Sequence, residues 1–247
     1  MFSYLRTYHK DKLSFVSLMV LTIAMLMTTE NSSYAQNSEI GLEFGAYHYL
    51  GDVNRRFTPS TTKIGGQFFV RKHINDGVSF RFSVGGGNLE GIDNEAFDVF
   101  SANRTASFNA SFVNADILME YHFLQYRNER LEQFWSPYVF FGLGFYSLNG
   151  KSSIDGGVTS TSYNTGLNVR LPVGVGIKYR FNRRWILGIS TSAIKTNSDL
   201  IDNVSAADPS IKNYRGGNPN DDDWMFHTAI SISFTFHKIY CPEGWFK

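Results

Sequence analysis

The residues best equipped for chemistry are charged side chains set in otherwise alternating text. Glu43, Asp116 and Glu120 stand against Arg71, Arg81, Arg170, Lys178 and Arg180. Such a set could transfer protons, hold an ion, or neutralise itself. The spacing favours the last. Each residue sits in a stretch where apolar and polar positions alternate, so each projects from the polar side of a strand. If that side is enclosed, its charges must be paired. The set therefore reads as a structural ion network, with no pore through it.

Other candidate chemistry is weaker. Of six histidines, none shows an HExxH spacing. His73, His122, His227 and His237 fall on polar faces and read as hydrogen-bonding groups. His122 and Glu120 share a face, as two members of an acyl-hydrolase triad would, but no GxSxG elbow supplies the serine. The run Asn218-Pro219-Asn220-Asp221-Asp222-Asp223 resembles a calcium loop. An EF-hand needs Gly at position six and Glu at position twelve; here those positions hold Asp223 and Ala229. Gly142-Leu143-Gly144 opens no helix and is no phosphate cradle. The prediction is a non-enzyme with no cofactor and no metal. The one cysteine, Cys241, excludes an internal disulfide and suggests an intermolecular bond or a free thiol.

The elements that must position these groups are strands. Period-two alternation predicts eight: 39–50, 63–75, 78–89, 112–123, 137–147, 168–181, 185–196 and 224–237. The clearest puts Val169, Leu171, Val173, Val175, Ile177, Tyr179 and Phe181 on one side, opposite Arg170, Pro172, Gly174, Gly176, Lys178 and Arg180. The connections alternate in length. Asn75-Asp76-Gly77 and Asn182-Arg183-Arg184 are tight turns, and Tyr126 to Trp135 is moderate. The segments 51–62, 90–103, 148–166 and 197–223 are long and polar. Short turns on one side and long loops on the other are the habit of outer-membrane barrels.

A soluble sandwich also alternates, but two features favour lipid. The strands run to ~10 residues or more, enough to cross a bilayer at a tilt. Their polar faces are rich in Gly, which has no evident use against water but makes room in a narrow eight-stranded lumen. The first segment reads as a signal peptide, residues 1–35. Arg6, Lys10 and Lys12 precede the apolar run Leu13 to Met27, and Ser33-Tyr34-Ala35 offers a cleavage site. The barrel is then 36–238, with a periplasmic tail over 239–247 and both termini of the mature chain in the periplasm. A formal net charge of +1 gives no support to nucleic-acid binding.

Longer stretches of text resemble a known family. They are Tyr49-Leu50-Gly51-Asp52, Pro137 to Tyr146, Leu171 to Tyr179, Trp185-Ile186-Leu187-Gly188, Asp199 to Ser205 and Tyr240-Cys241-Pro242. The most specific is Arg215-Gly216-Gly217-Asn218-Pro219-Asn220-Asp221-Asp222-Asp223-Trp224. Together these are similar to the PorG family of Bacteroidetes outer-membrane barrels, a component of the type IX secretion system. Gly217 departs from the family, which usually has Asp there. The resemblance implies an all-β, eight-stranded antiparallel transmembrane barrel, OmpA-like, with a plugged polar lumen. It implies a scaffold that ties a periplasmic ring, built from a PorK-type lipoprotein and PorN, to the outer membrane, and serves gliding where that machinery is present. Cys241 and the turn Tyr126 to Trp135 are then candidate ring contacts, with Arg215, Gly216, Asn218, Pro219, Asp223 and Trp224 as the family loop motif. The remaining partner is outer-membrane lipid. The alternatives are a generic small barrel for adhesion or envelope stability, and a lipid-modifying barrel enzyme.

Overall fold

The computed structural model describes residues 38–50, 61–92, 107–127, 131–154, 159–197, 201 and 224–236, all within the compact unit Gln36–Lys247. The expected signal peptide, the tail with Cys241, and Arg215, Gly216, Asn218, Pro219 and Asp223 lie outside the described residues, as do most of the three expected loops 51–62, 90–103 and 197–223.

The strands are β1 (Ser38–Leu50), β2 (Lys63–His73), β3 (Val78–Ile92), β4 (Ser107–His122), β5 (Trp135–Ile154), β6 (Thr159–Asn164), β7 (Asn168–Arg180), β8 (Trp185–Thr196) and β9 (Trp224–Phe236). All pairings are antiparallel. The order β4-β3-β2-β1-β9-β8-β7-β5-β6 is closed by a direct β4–β5 pairing. Eight strands therefore form a barrel, and β6 is an addition to its rim. Closure removes the open edges that hydrocarbon could not satisfy.

Alternation sends the two faces to different media. Ile230, Val113, Val173 and Leu143 are among the most exposed positions of the outer wall, at 66%, 64%, 58% and 61%. Glu39, Arg71, Glu120, Arg170 and Lys178 point inward and are buried. A water-soluble sheet would invert this arrangement. Near the short turns the wall carries Tyr121, Phe123, Trp135, Tyr179, Phe181, Trp185 and Phe236, all exposed, the aromatic girdle expected at a bilayer interface.

Two details differ from the sequence expectation. The segment 148–166 is not simply a loop. β5 continues to Ile154, and β6 returns beside it, from Asn149↔Asn164 to Ile154↔Thr159. This extension is mostly Ser, Asn, Gly, Thr and Lys, and its low apolar content hides a strand from a period-two search. β3 and β4 are likewise longer than expected and pair out to Ile92↔Ser107. At the β6–β7 turn, Gly166 adopts φ +66, a backbone region that glycine enters without steric cost, and Asn164 Oδ1 accepts its N–H at 2.7 Å.

The interior is layered. Toward the short turns it is charged. Toward the long loops it is a cluster of Tyr47, Tyr49, Leu89, Phe108, Phe112, Tyr146, Leu148, Ile194, Ile201 and Met225. Uniform polarity along the inward face, as the alternation suggests, holds only for the turn-side part.

Candidate functional site

The charged layer begins with β1 and β2. Glu39 and Arg71 are direct cross-strand partners, and Arg71 Nη1 donates to Glu39 Oε2. Glu39 Oε1 also takes His73 Nε2 at 2.6 Å, and Ser233 Oγ donates to Oε2 at 3.2 Å. Farther round the sheet, Glu120 of β4 pairs with Arg71 Nε at 2.8 Å and with Lys178 Nζ, and Arg81 Nη1 lies 3.9 Å away. Lys178 Nζ also lies 2.8 Å from His122 Nε2. A second group joins Arg81 to Glu43 at 3.0 Å, with His227 Nδ1 3.8 Å from Glu43. A third is Arg170 Nε to Asp116 Oδ1 at 2.9 Å, with Asn114 donating to Asp116 Oδ2 at 2.7 Å.

Local sequence makes these reaches feasible. Asp116, Gly144 and Arg170 occupy one rung of three successive strands. A Cβ at Gly144 would collide with Asp116 Oδ1, so only glycine leaves the span open between the two charges. The Phe140 ring lies over Gly174 and the Tyr138 ring over Gly176, each within 2.8 Å of where a Cβ would be. Those aromatic rings fill space that side chains on β7 would otherwise need.

Of the eight charges expected in the network, seven are in it: Glu43, Arg71, Arg81, Asp116, Glu120, Arg170 and Lys178. Arg180 is not. It sits half-buried at the turn-side mouth, where Nη1 donates to Arg127 O at 3.4 Å and the guanidinium lies 5.6 Å from the Phe134 ring. The sequence expectation is corrected here. β7 ends at Arg180, so correct parity carries it to the rim and not into the lumen. Glu39 is the member the expectation omitted, although it has the parity of Glu43. Trp224 opens β9 on the outer wall, with Lys195 Nζ 6.0 Å from its ring centre.

What can this arrangement do chemically? Four carboxylates meet three arginines and one lysine, so the layer pairs its own charges. One grouping has the connectivity of a hydrolase relay: Ser79 Oγ is 2.5 Å from His73 Nδ1, and His73 Nε2 holds Glu39. Ser79 is 0% exposed, however, and Glu39 is engaged by Arg71. Among the described residues, no cluster of His, Cys, Asp and Glu could hold a metal ion.

At the turn-side end Tyr126 is fully buried, its ring 5.4 Å from that of His122. Burial raises its phenol well above the ordinary tyrosine range, so it remains a neutral plug. Above the charged layer, the aromatic cluster fills the other end.

The family described as Domain of unknown function (DUF6089) matches residues 17–243. The chain belongs to this family. No curated protein matches the sequence. Among solved structures, this DUF6089 barrel is similar to Ail, the attachment invasion locus protein of Yersinia pestis, at 15% identity and TM-score 0.46, covering 82% of this chain and 100% of that one. It is also similar to a major outer membrane protein from Thermus thermophilus, at 15% identity and TM-score 0.46, covering 81% and 99%. Neisserial surface protein A matches at 12% identity and TM-score 0.42, covering 81% and 97%. The DUF6089 chain has the arrangement of a small outer-membrane barrel: a closed apolar wall around an interior that is charged at one end and aromatic at the other.

Proposed function

We propose that this protein is a non-enzymatic outer-membrane scaffold that anchors the periplasmic ring of a type IX secretion system, through PorK- and PorN-type ring proteins. The observation that carries the reading is the filled lumen. Buried charges paired with one another, an aromatic layer above them and buried Tyr126 below leave a wall and two ends as the surfaces available for work. The PorG-like text, above all Arg215 to Trp224, supports this choice of partner. The turn side faces the periplasm in this reading, so the connection Tyr126 to Trp135 and Cys241 meet the ring. Deletion of the gene tests it directly: cargo with type IX signals stays inside the cell, and the ring proteins no longer co-purify with outer membrane. Normal secretion in the deletion strain refutes the anchor and leaves an adhesion or envelope-stability barrel.

A second reading, a lipid-modifying hydrolase, is favoured by one observation, the Ser79–His73–Glu39 relay. It requires Ser79 to be reached by substrate. A fluorophosphonate probe that labels the folded barrel at Ser79 would establish it; the scaffold reading expects no label.

A further inference from the structure

The lumen charges balance, and the turn-side rim carries a further cation. Glu39, Glu43, Asp116 and Glu120 balance Arg71, Arg81, Arg170 and Lys178, and among the described residues no carboxylate pairs with Arg180. Its parity in β7 is that of the lumen, so it stands over the mouth and away from the lipid wall. Tyr126 is buried beneath that mouth. The mouth is knitted from several connections. Arg127 binds Asn75 O and lies 3.7 Å from Asp76. Arg180 N donates to Phe134 O at 2.7 Å, and Thr235 N to Arg184 O at 2.8 Å. A surface already held in place loses little conformational freedom on binding. It carries exposed Leu131 and Phe134 in a connection outside any strand, and exposed Arg184 in the β7–β8 turn. Arginine and aromatic side chains are enriched at protein–protein interfaces. Arg127 and Asp76 offset each other; against exposed Glu132 stand Arg180 and the exposed Arg183 and Arg184, so the surplus among the described residues is positive and its complement is acidic.

We propose that the turn-side mouth, built on Arg180, Arg184, Leu131 and Phe134, is the docking surface for an acidic face of a periplasmic ring protein. This rests on the anchoring function proposed above and adds the chemistry of the contact. Headgroups of anionic lipid are the competing source of negative charge. They sit around the wall, whereas Arg180 lies inside the circle of strands.

The test uses the full barrel in nanodiscs of neutral phosphatidylcholine and a purified PorN-type ring protein. The native pair binds, and its affinity falls as salt screens the contact. The R180Q/R184E variant binds about tenfold or more weakly. R184E alone lies in an exposed turn and serves where the double variant loses its heat-modifiable folded band; it weakens binding about threefold. Leu131→Asp weakens binding as well, and Lys151→Glu, at the opposite end of β5, leaves it unchanged. If the native protein does not bind the ring protein, the anchoring function fails and this inference with it. If binding is intact in the R180Q/R184E and Leu131→Asp variants, anchoring stands and only the surface is wrong. If R180Q/R184E loses a preference for phosphatidylglycerol nanodiscs and keeps its ring affinity, the rim reads lipid, and the inference is overturned.

Discussion

Arg71 and Arg81 face each other as a direct cross-strand pair of β2 and β3, two like charges on one rung. Such a pair is destabilising by itself. Here both guanidinium groups lie against the Phe69 ring, 4.7 and 4.6 Å from its centre, and Glu120 reaches both from β4. Glu39 and Glu43 flank them on β1. The repulsion is thus offset from both sides, by Glu39 and Glu43 on β1 and by Glu120 on β4, the strand next to β3.

Glu120→Ala should therefore be among the most damaging single changes. It leaves one positive charge uncompensated among Arg71, Arg81 and Lys178 inside a closed wall, and removing one partner of a buried ion pair costs ~3–5 kcal/mol. Equilibrium urea unfolding in detergent, read by tryptophan fluorescence and by the heat-modifiable band, measures the loss. A change within about 1 kcal/mol would mean that water already reaches this layer.

Gly144→Val should be nearly as severe, for a steric reason. Its Cβ would fall on Asp116 Oδ1 and within 2.9 Å of Ala115 O, separating Asp116 from Arg170. Gly66→Ala is the matched control. It faces outward, and its Cβ meets the Phe44 ring at 3.2 Å, where a small ring shift suffices. The folded fraction after refolding into detergent should be low for the first variant and near native for the second. Equal yields would contradict the packing described.

The medium around the wall is tested by Val175→Arg. Val175 lies in the middle of β7 and is 52% exposed. An arginine at the midplane of a barrel wall costs ~2–4 kcal/mol in lipid, whereas in water it would cost almost nothing. Unfolding from phospholipid vesicles gives the difference, and a cost-free substitution would put water, not hydrocarbon, against this face.

A filled lumen predicts electrical silence. Purified native protein in a planar bilayer should give no persistent conductance. The Arg170→Ala variant removes a buried cation at the boundary between the charged and aromatic layers, and is expected to stay closed because Tyr47, Phe112 and Tyr146 lie above it. Steady openings of the native barrel would show that the plug moves.

The thiol is tested separately. If Cys241 joins a partner, membranes run without reductant should contain a higher band that Cys241→Ser removes. An unchanged pattern assigns it no covalent role.

Much of this molecule is legible without coordinates. The parity of Val169 through Phe181 was enough to place the wall, and the parity of Arg71, Arg81, Glu120 and Lys178 enough to place the charges inside, because side chains on a strand have only two directions to choose from. The turn at Asn75-Asp76-Gly77 was equally plain, since such residues favour a tight reversal. Parity is a local property, however, and carries no distance along the barrel axis. It could not tell that Arg180 stops at the rim, that Glu39 reaches the network, or that Leu89, Phe112 and Ile194 replace polarity at the loop end. Those outcomes depend on the stagger between strands, which sets which inward residues share a level. The extension β5–β6 escaped for a related reason: above the membrane no face need be apolar, so the pattern that marks a strand disappears. The chain by itself decided which side of each strand meets lipid; closure of the sheet decided which buried charge meets which.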